Sequence, residues 1–377
     1  MSAEWELRLD RETFLAQYWQ RRPLLIRNGI SGFTPPLGSD ELAGLALEEH
    51  VESRLIEQRG DSWHLHHGPF AAADFQRKGR WTLLVQAVDH YIPQVAALRR
   101  LVDFIPQWRV DDVMVSYAVP GGSAGPHYDN YDVFLLQGAG ERRWKIGQYC
   151  DSASELLPCE GLRILKSFET HEEFLLRQGD ILYVPPGVAH WGIAESECTT
   201  FSIGFRAPRI TAMVSRWVDE LLEQLEPDQF YSDGRRAPMT RPGEIHPRDL
   251  ERATSQLQAA LDQAADNRWF GQLVTEPKYG PPGDDDDLAE ARALLRGGVQ
   301  CVELCGSARL AWQQEAEGIL VFANGEYRVF DESVLPCLLE LCATWRLAER
   351  PLEHALADPG GMSLLDYLLE CGVVYVQ

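Results

Sequence analysis

The spacing of apolar positions changes character several times along the chain. In residues 11–27 (RETFLAQYWQRRPLLIR) it predicts a short amphipathic helix running into an extended apolar stretch. Residues 51–67 predict two strands about the turn Arg59-Gly60-Asp61-Ser62. From Asp111 to Ala207 short β-rich runs (VMVSYAV, YDVFLLQ, RRWKIG, DILYVP, TTFSIGF) alternate with Gly- and Pro-rich turns (PGGSAGP, GAGE, PPG). Many short strands joined this way predict a barrel or sandwich. The period then lengthens. Ile210, Met213, Val214, Trp217, Val218, Leu221, Leu222 and Leu225 recur at three-to-four spacing, which predicts an amphipathic helix. A second helical stretch is expected over 247–274, and the composition of 277–287 (PKYGPPGDDDD) predicts a linker. Beyond it, 288–377 reads as a small mixed region. A helix, a hairpin around Asn324-Gly325, a helix near 335–347 and a helix-to-strand unit ending in VVYVQ are expected there.

Composition narrows the class. With 377 residues, 45% of them hydrophobic, the chain can bury a substantial core and suggests two or three domains. Its apolar runs fall far short of the roughly 20 residues a membrane span needs. The acidic start (MSAEWELRLDRE) is unlike a secretory leader, so a cytoplasmic protein is expected. The net charge of −22 repels nucleic acid and anionic membranes and favours basic proteins as partners. Eight scattered cysteines without a CxxC fit reduced thiols better than disulfides or a zinc site.

The sharpest candidate chemistry lies in GPHYDNYDVFLLQ. On a strand, His127 and Asp129 point to one face and can converge on an ion. Sixty-three residues after His127, GDILYVPPGVAHWG carries His190 on a strand that returns from a Pro-Pro-Gly turn. A barrel can bring that strand alongside. Two neutral imidazoles and one carboxylate leave open coordination positions, the arrangement of non-haem Fe(II) oxygenases. The GAGE turn is expected to reverse the chain so that Arg142, Trp144 and Ile146 face inward on the neighbouring strand. An inward arginine needs an anion, and a guanidinium suits a carboxylate, so a keto acid reaching from the metal to Arg142 fits. Other histidines read as surface. His171-Glu172-Glu173 lies in an acidic stretch, and the His64-Leu65-His66-His67 cluster lacks a further ligand at a suggestive spacing.

These strings resemble the JmjC-type, cupin-barrel 2-oxoglutarate oxygenases. GPHYDNYDVFLLQGAGERRWKIG, GDILYVPPGVAHWG, FSIGFRAP and the N-terminal FLAQYWQRRPLLIR together are most similar to the bacterial ribosomal oxygenases. The resemblance implies an α+β chain. A double-stranded β-helix (cupin/JmjC) barrel over 1–208 would be followed by a helical dimerisation segment over 209–276. A linker over 277–287 would lead to a small winged-helix-like domain over 288–377. It implies His127, Asp129 and His190 as iron ligands, Arg142 as the co-substrate arginine and Ser116 as a nearby strand serine. It further implies Fe(II), O2 and 2-oxoglutarate, with succinate and CO2 released. The target would be the β-carbon of an arginine in a basic protein of the large ribosomal subunit, and the enzyme a homodimer. Residues 281–377 hold 17 acids against six arginines and no lysine, so no direct nucleic-acid binding is expected of the last domain. Two rivals remain: an oxygenase of this fold acting on another protein or a small molecule, and a non-catalytic metal-binding cupin. The inward Arg142 argues against the latter, and the large C-terminal half against a small substrate.

Overall fold

The computed structural model describes residues 5–234, 236, 238, 240–263, 268–279 and 285–377. The chain divides into two compact units, one running to Ala207 and including Cys305–Ser307, the other Pro208–Leu304 with Ala308–Gln377.

The first unit opens with helices α1 (Arg11–Gln17), α2 (Ser39–Leu45) and α3 (Pro93–Ala96) interleaved with strands β1 (Leu24–Ile26), β2 (Ser53–Arg59), β3 (Ser62–His67) and β4 (Arg80–Val85). Asp10 caps α1 by accepting from the Thr13 backbone N–H at 2.9 Å. Strands β5 (Val110–Ala118), β6 (Val133–Gln137), β7 (Arg142–Tyr149), β8 (Glu172–Leu176), β9 (Ile181–Val184), β10 (Val188–Ala194) and β11 (Cys198–Phe205) follow. They sort into a large sheet, ordered β1-β9-β6-β11-β5-β4-β2-β3, and a small one, ordered β10-β7-β8. Two bridges, Ser123 to Ile193 and His127 to His190, add the segment before β6 to the small sheet. The four strands β9-β6-β11-β5 at the middle of the large sheet face the small sheet and its added segment, and a chain that repeatedly crosses between the two makes the double-stranded β-helix.

Strand alternation assigns the two faces of the large sheet. Val133, Leu135, Leu182 and Val184 turn inward with Trp144, Ile146 and Val188 of the small sheet. Phe134, Leu136, Ile181, Tyr183, Val113, Val115, Phe201 and Ile203 turn outward, into a larger core with Phe14, Ile30, Leu42 and Leu98. That outer cover is why β6 and β9 read as continuous apolar runs instead of alternating ones. A buried polar knot fixes the start of β6. Asp132, fully buried, accepts from Tyr183 Oη (2.6 Å), Gln20 Nε2 (3.0 Å) and Arg109 Nη2 (3.3 Å). Burial raises the Asp132 carboxyl pKa, and burial with the Asp132 charge beside it raises that of the Tyr183 phenol.

The second unit carries α4 (Ile210–Gln224), α5 (Pro247–Gln263), α6 (Arg268–Thr275) and α7 (Asp285–Gly297). Two small sheets follow, β16-β12-β17 and β13-β14-β15, built from β12 (Cys301–Leu304), β13 (Leu310–Glu315), β14 (Gly318–Ala323), β15 (Glu326–Phe330), β16 (Arg346–Ala348) and β17 (Val374–Val376). Helices α8 (Leu335–Thr344), α9 (Glu349–Ala357) and α10 (Pro359–Glu370) complete it. The Asn324-Gly325 hairpin joins β14 to β15, with both turn residues at positive φ.

The helical stretch expected over 247–274 is present as α5 and α6, with 264–267 outside the described residues. Three expectations are corrected. Helix α7 already begins at Asp285, inside the expected linker; 280–284 lie outside the described residues. The GAGE turn does not return β6 onto a neighbour, because β6 pairs with β11 and β9 while β7 pairs with β10 and β8. For the same reason β10 does not pair back on β9: each Gly-rich turn carries the chain to the opposite sheet.

Candidate active site

His127 and Asp129 precede β6 and are not part of a strand, which corrects the expected placement. A pair of backbone hydrogen bonds does the positioning. His127 N–H donates to the His190 carbonyl at 3.1 Å, and His190 N–H to the His127 carbonyl at 2.8 Å. The Gly187 N–H, in the Pro-Pro-Gly turn, donates to the Asp129 carbonyl at 2.8 Å, with Gly187 at φ +78°. That backbone favours glycine. Thus the turn ahead of His190 clamps the segment that carries the other two residues. The far side is held by Leu165 N–H on the Pro126 carbonyl (2.8 Å). Trp191, half-buried, braces the same loop: its indole donates to Ser123 Oγ at 3.0 Å, and that hydroxyl accepts from Gly125 N–H at 2.9 Å.

The three side chains converge. One donor atom from each of His127, Asp129 and His190 lies within 4.8 Å of the others. Among the described residues this is the one cluster of three or more potential ligands with that geometry. The imidazole centroids are 4.3 Å apart, and His190 Nε2 is 3.6 Å from Asp129 Oδ2. His127 Nδ1 lies 2.9 Å from the Gly125 carbonyl and His190 Nδ1 3.1 Å from the Val188 carbonyl. A carbonyl can only accept, so each Nδ1 carries the proton and each Nε2 presents a lone pair inward. Burial, reinforced by neighbouring His127, pushes His190 down to about 4 and keeps it neutral, as a metal ligand must be. Two imidazole nitrogens and one carboxylate oxygen fit a divalent transition metal with vacant positions.

On the inner face of β7, Arg142 is 6% exposed. Its Nη1 donates to Ser116 Oγ on β5 at 3.2 Å, while Nε and Nη2 are buried with no partner among the described residues. Burying a guanidinium against one neutral hydroxyl costs several kcal/mol, roughly, unless an anion joins it. Arg143 and Lys145 face outward as expected and pair with Glu173, Arg143 also with Glu195. Ser116 stands in register with Thr200 of β11, and Thr200 with Gln137 of β6, so three polar side chains floor the barrel beside Arg142.

The inner wall also holds residues that sequence reading missed. Asp112, Met114 and Ser116 share one face of β5. A bulge sets Asp111 and Asp112 opposite Gly204, since Val113 pairs with Ile203 but Val110 with Phe205. Asp112 is 3% exposed and accepts from Gln86 Nε2 at 2.8 Å; Gln86 in turn accepts from Arg54 at 3.2 Å. Tyr131 lies between carboxylates: Asp129 above all, with Asp112, pushes its phenol pKa far up. The alternation 112-114-116 was the available signal.

The histidines read as surface are exposed. His64, His66 and His67 lie on edge strand β3, with His66 4.0 Å from Glu57, and His171 is half-exposed beside Glu169.

Comparison with known proteins agrees with this architecture. A family model described as JmjC domain matches residues 97–213, and one described as AraC-like ligand binding domain matches 166–276. The chain is 34% identical to the ribosomal protein uL16 3-hydroxylase of Escherichia coli, across 99% of this chain and 100% of that one. It is also 34% identical to a probable ribosomal oxygenase of Haemophilus influenzae, across 84% and 81%. A structure of Escherichia coli YcfD, described as a ribosomal oxygenase in complex with cobalt and 2-oxoglutarate, matches with a TM-score of 0.82 and 33% identity over 99% and 100% of the two chains. An X-ray structure of the same Escherichia coli protein gives 0.85 with full coverage of both. Sharing the barrel and spanning the Escherichia coli relative from end to end, the chain belongs to the JmjC-domain ribosomal oxygenases.

Proposed function

We propose that this chain is a 2-oxoglutarate- and Fe(II)-dependent hydroxylase acting on the β-carbon of an arginine in a large-subunit ribosomal protein. The observation that carries the co-substrate is Arg142, a buried guanidinium with two nitrogens unmatched among the described residues. His127, Asp129 and His190 hold the iron. Arg142, with Ser116, receives the distal carboxylate of 2-oxoglutarate through paired N–H donors. Bound iron supplies oxygen activation coupled to oxidative decarboxylation: 2-oxoglutarate, O2 and a C–H bond become succinate, CO2 and a C–OH. The protein's part is positioning. Gly125 and Val188 carbonyls hold both imidazoles in one tautomer, the apolar wall of Val133, Leu135, Leu182 and Val184 limits water, and the rigid sheets fix the target carbon.

An arginine target is supported by charge. Asp112, outside the metal cluster and near Tyr131, gives the inner wall a negative charge suited to a guanidinium. The name of the Escherichia coli relative includes uL16 and 3-hydroxylase, and the 3-position of an amino acid is its β-carbon. The net charge of −22 would speed encounter with a basic protein. We assign the dimer contact to α4 and α5, whose Ile210, Val214, Leu222, Leu250 and Leu257 are exposed at helical spacing. The last domain, 288–377, is read as a winged-helix-like protein-contact module, and its excess of acids opposes phosphate binding. No described helix is long and apolar enough to cross a membrane, and eight free thiols suit a reducing cytoplasm.

Intact-mass measurement of ribosomal proteins from cells lacking this chain tests the reading. One large-subunit protein should be lighter by a single oxygen atom, and fragmentation of the wild-type form should place that oxygen on an arginine β-carbon. Unchanged masses would overturn the assignment.

A further inference from the structure

Three of the buried side-chain atoms that lack a partner among the described residues occupy two successive inner positions of β7: Nε and Nη2 of Arg142, and Nε1 of Trp144. The guanidinium atoms are accounted for by an anion. The indole is not. It is 5% exposed, and a buried N–H left unmatched is destabilising. Trp191, by contrast, has its indole on Ser123.

The surroundings of Trp144 show where its partner comes from. Trp144 pairs in register with Gly192 of β10, and a Cβ on Gly192 would stand 2.8 Å from the indole ring. That is closer than real Cβ atoms approach, so glycine there lets the ring lie against the strand. The same ring is 5.8 Å from the His190 imidazole and 5.9 Å from Arg142 Cζ. It therefore spans the gap between the metal ligands and the anion-binding arginine. An indole N–H can only donate. The missing partner is an acceptor, in the space where a ligand would stretch from the metal to Arg142.

We propose that Trp144 is a co-substrate-binding residue whose indole N–H donates to an oxygen of bound 2-oxoglutarate. The inference rests on the functional reading above and adds a donor to it. Substitution with phenylalanine keeps an aromatic wall and removes only the donor. A hydrogen bond to a charged acceptor contributes about 1.5–3 kcal/mol, so Trp144→Phe should weaken 2-oxoglutarate binding about tenfold or more.

The test uses full-length protein labelled with 15N at its tryptophan indoles and loaded with Zn(II), which is redox-inert. The Trp144 resonance is identified by its loss in Trp144→Phe. It should be unmoved by buffer anions and shift on adding 2-oxoglutarate. Calorimetry on the same samples should show the tenfold loss in the variant. If wild-type protein binds 2-oxoglutarate while the Trp144 resonance stays still and Trp144→Phe binds equally well, a structural water satisfies the indole and the proposal is overturned. If 2-oxoglutarate fails to bind zinc-loaded wild-type protein at all, the co-substrate reading falls and this inference with it.

Discussion

Arg142 and Asp112 are both buried charges on the inner wall of one barrel, yet the chain surrounds them differently. Arg142 meets a neutral hydroxyl and leaves two nitrogens unmatched. Asp112, four residues from Ser116 and so about 13 Å farther along β5, is braced by the Gln86 amide within a group of acids that raises the Tyr131 pKa. The inner wall of the barrel thus carries a buried cation and a buried anion at separate places, besides the His127–Asp129–His190 cluster. Separated charges can sort two ligands of opposite charge, an anionic co-substrate and a cationic side chain, and forbid either from taking the other's place. Substitutions at the cluster and at the two charges should therefore separate cleanly.

The largest effect is expected at the cluster. His127→Ala should abolish metal binding, read by Co(II) absorbance, and with it succinate production from 2-oxoglutarate, while circular dichroism stays native. Retained turnover would remove the metal assignment. At the buried cation, Arg142→Ala should raise the 2-oxoglutarate requirement by about 10²-fold, since truncating one partner of a buried charged pair costs about 2–5 kcal/mol. Metal affinity should hold. An unchanged 2-oxoglutarate requirement would place the co-substrate elsewhere.

How much of this was legible beforehand depends on the range of the interaction. His127, Asp129 and His190 stood out because their residue types admit little other chemistry together, and Arg142 because strand alternation turned it inward. The supporting geometry was not visible. That His127 lies outside a strand depends on its bridge to His190, a pairing across 63 residues. That the GAGE turn crosses between sheets depends on β11 taking the place beside β6. The alternation 112-114-116 hinted at Asp112, but the bulge that sets it opposite Gly204 depends on pairing with β11 and no local pattern in VDDVMVS announces it. Thr200 and Gln137 entered only through register with Ser116. In the C-terminal unit the hairpin at Asn324-Gly325 was local and legible. Strands β12, β16 and β17 are three or four residues long and exist only because they pair with one another.

At the buried anion a smaller and more selective effect is expected. Asp112→Asn keeps the size of the side chain and removes its charge. KM for an arginine-containing basic peptide should rise about tenfold, in line with losing one charge-assisted contact. The concentration of 2-oxoglutarate required should not change. Equal loss for both ligands would mean that Asp112 supports the barrel wall in general, and the two-charge description would fail.

The smallest effect is expected for a buried carboxylate whose partners are all supplied by the chain. Glu57 on β2 is held by Arg59 Nε at 2.9 Å, with Arg77 at 3.3 Å and His66 at 4.0 Å. The Arg59 hydrogen bond, above all, lowers its pKa below the ordinary 4.5. With the folded value depressed, its contribution to stability is present above the unfolded value of 4.5 and is lost as pH falls through the folded one. Because Arg59 is largely exposed, solvent screens the pair, and the contribution is about 1 kcal/mol at most. Glu57→Gln should then lower the melting temperature by about 2–4 °C at neutral pH. The deficit should shrink as the pH drops below 4.5, where wild-type Glu57 is itself protonated. Metal and 2-oxoglutarate affinities should be untouched. A loss of 2-oxoglutarate binding in this variant would show that burying a charge anywhere in the unit disturbs the cavity, and that the unmatched nitrogens of Arg142 are not what selects the co-substrate.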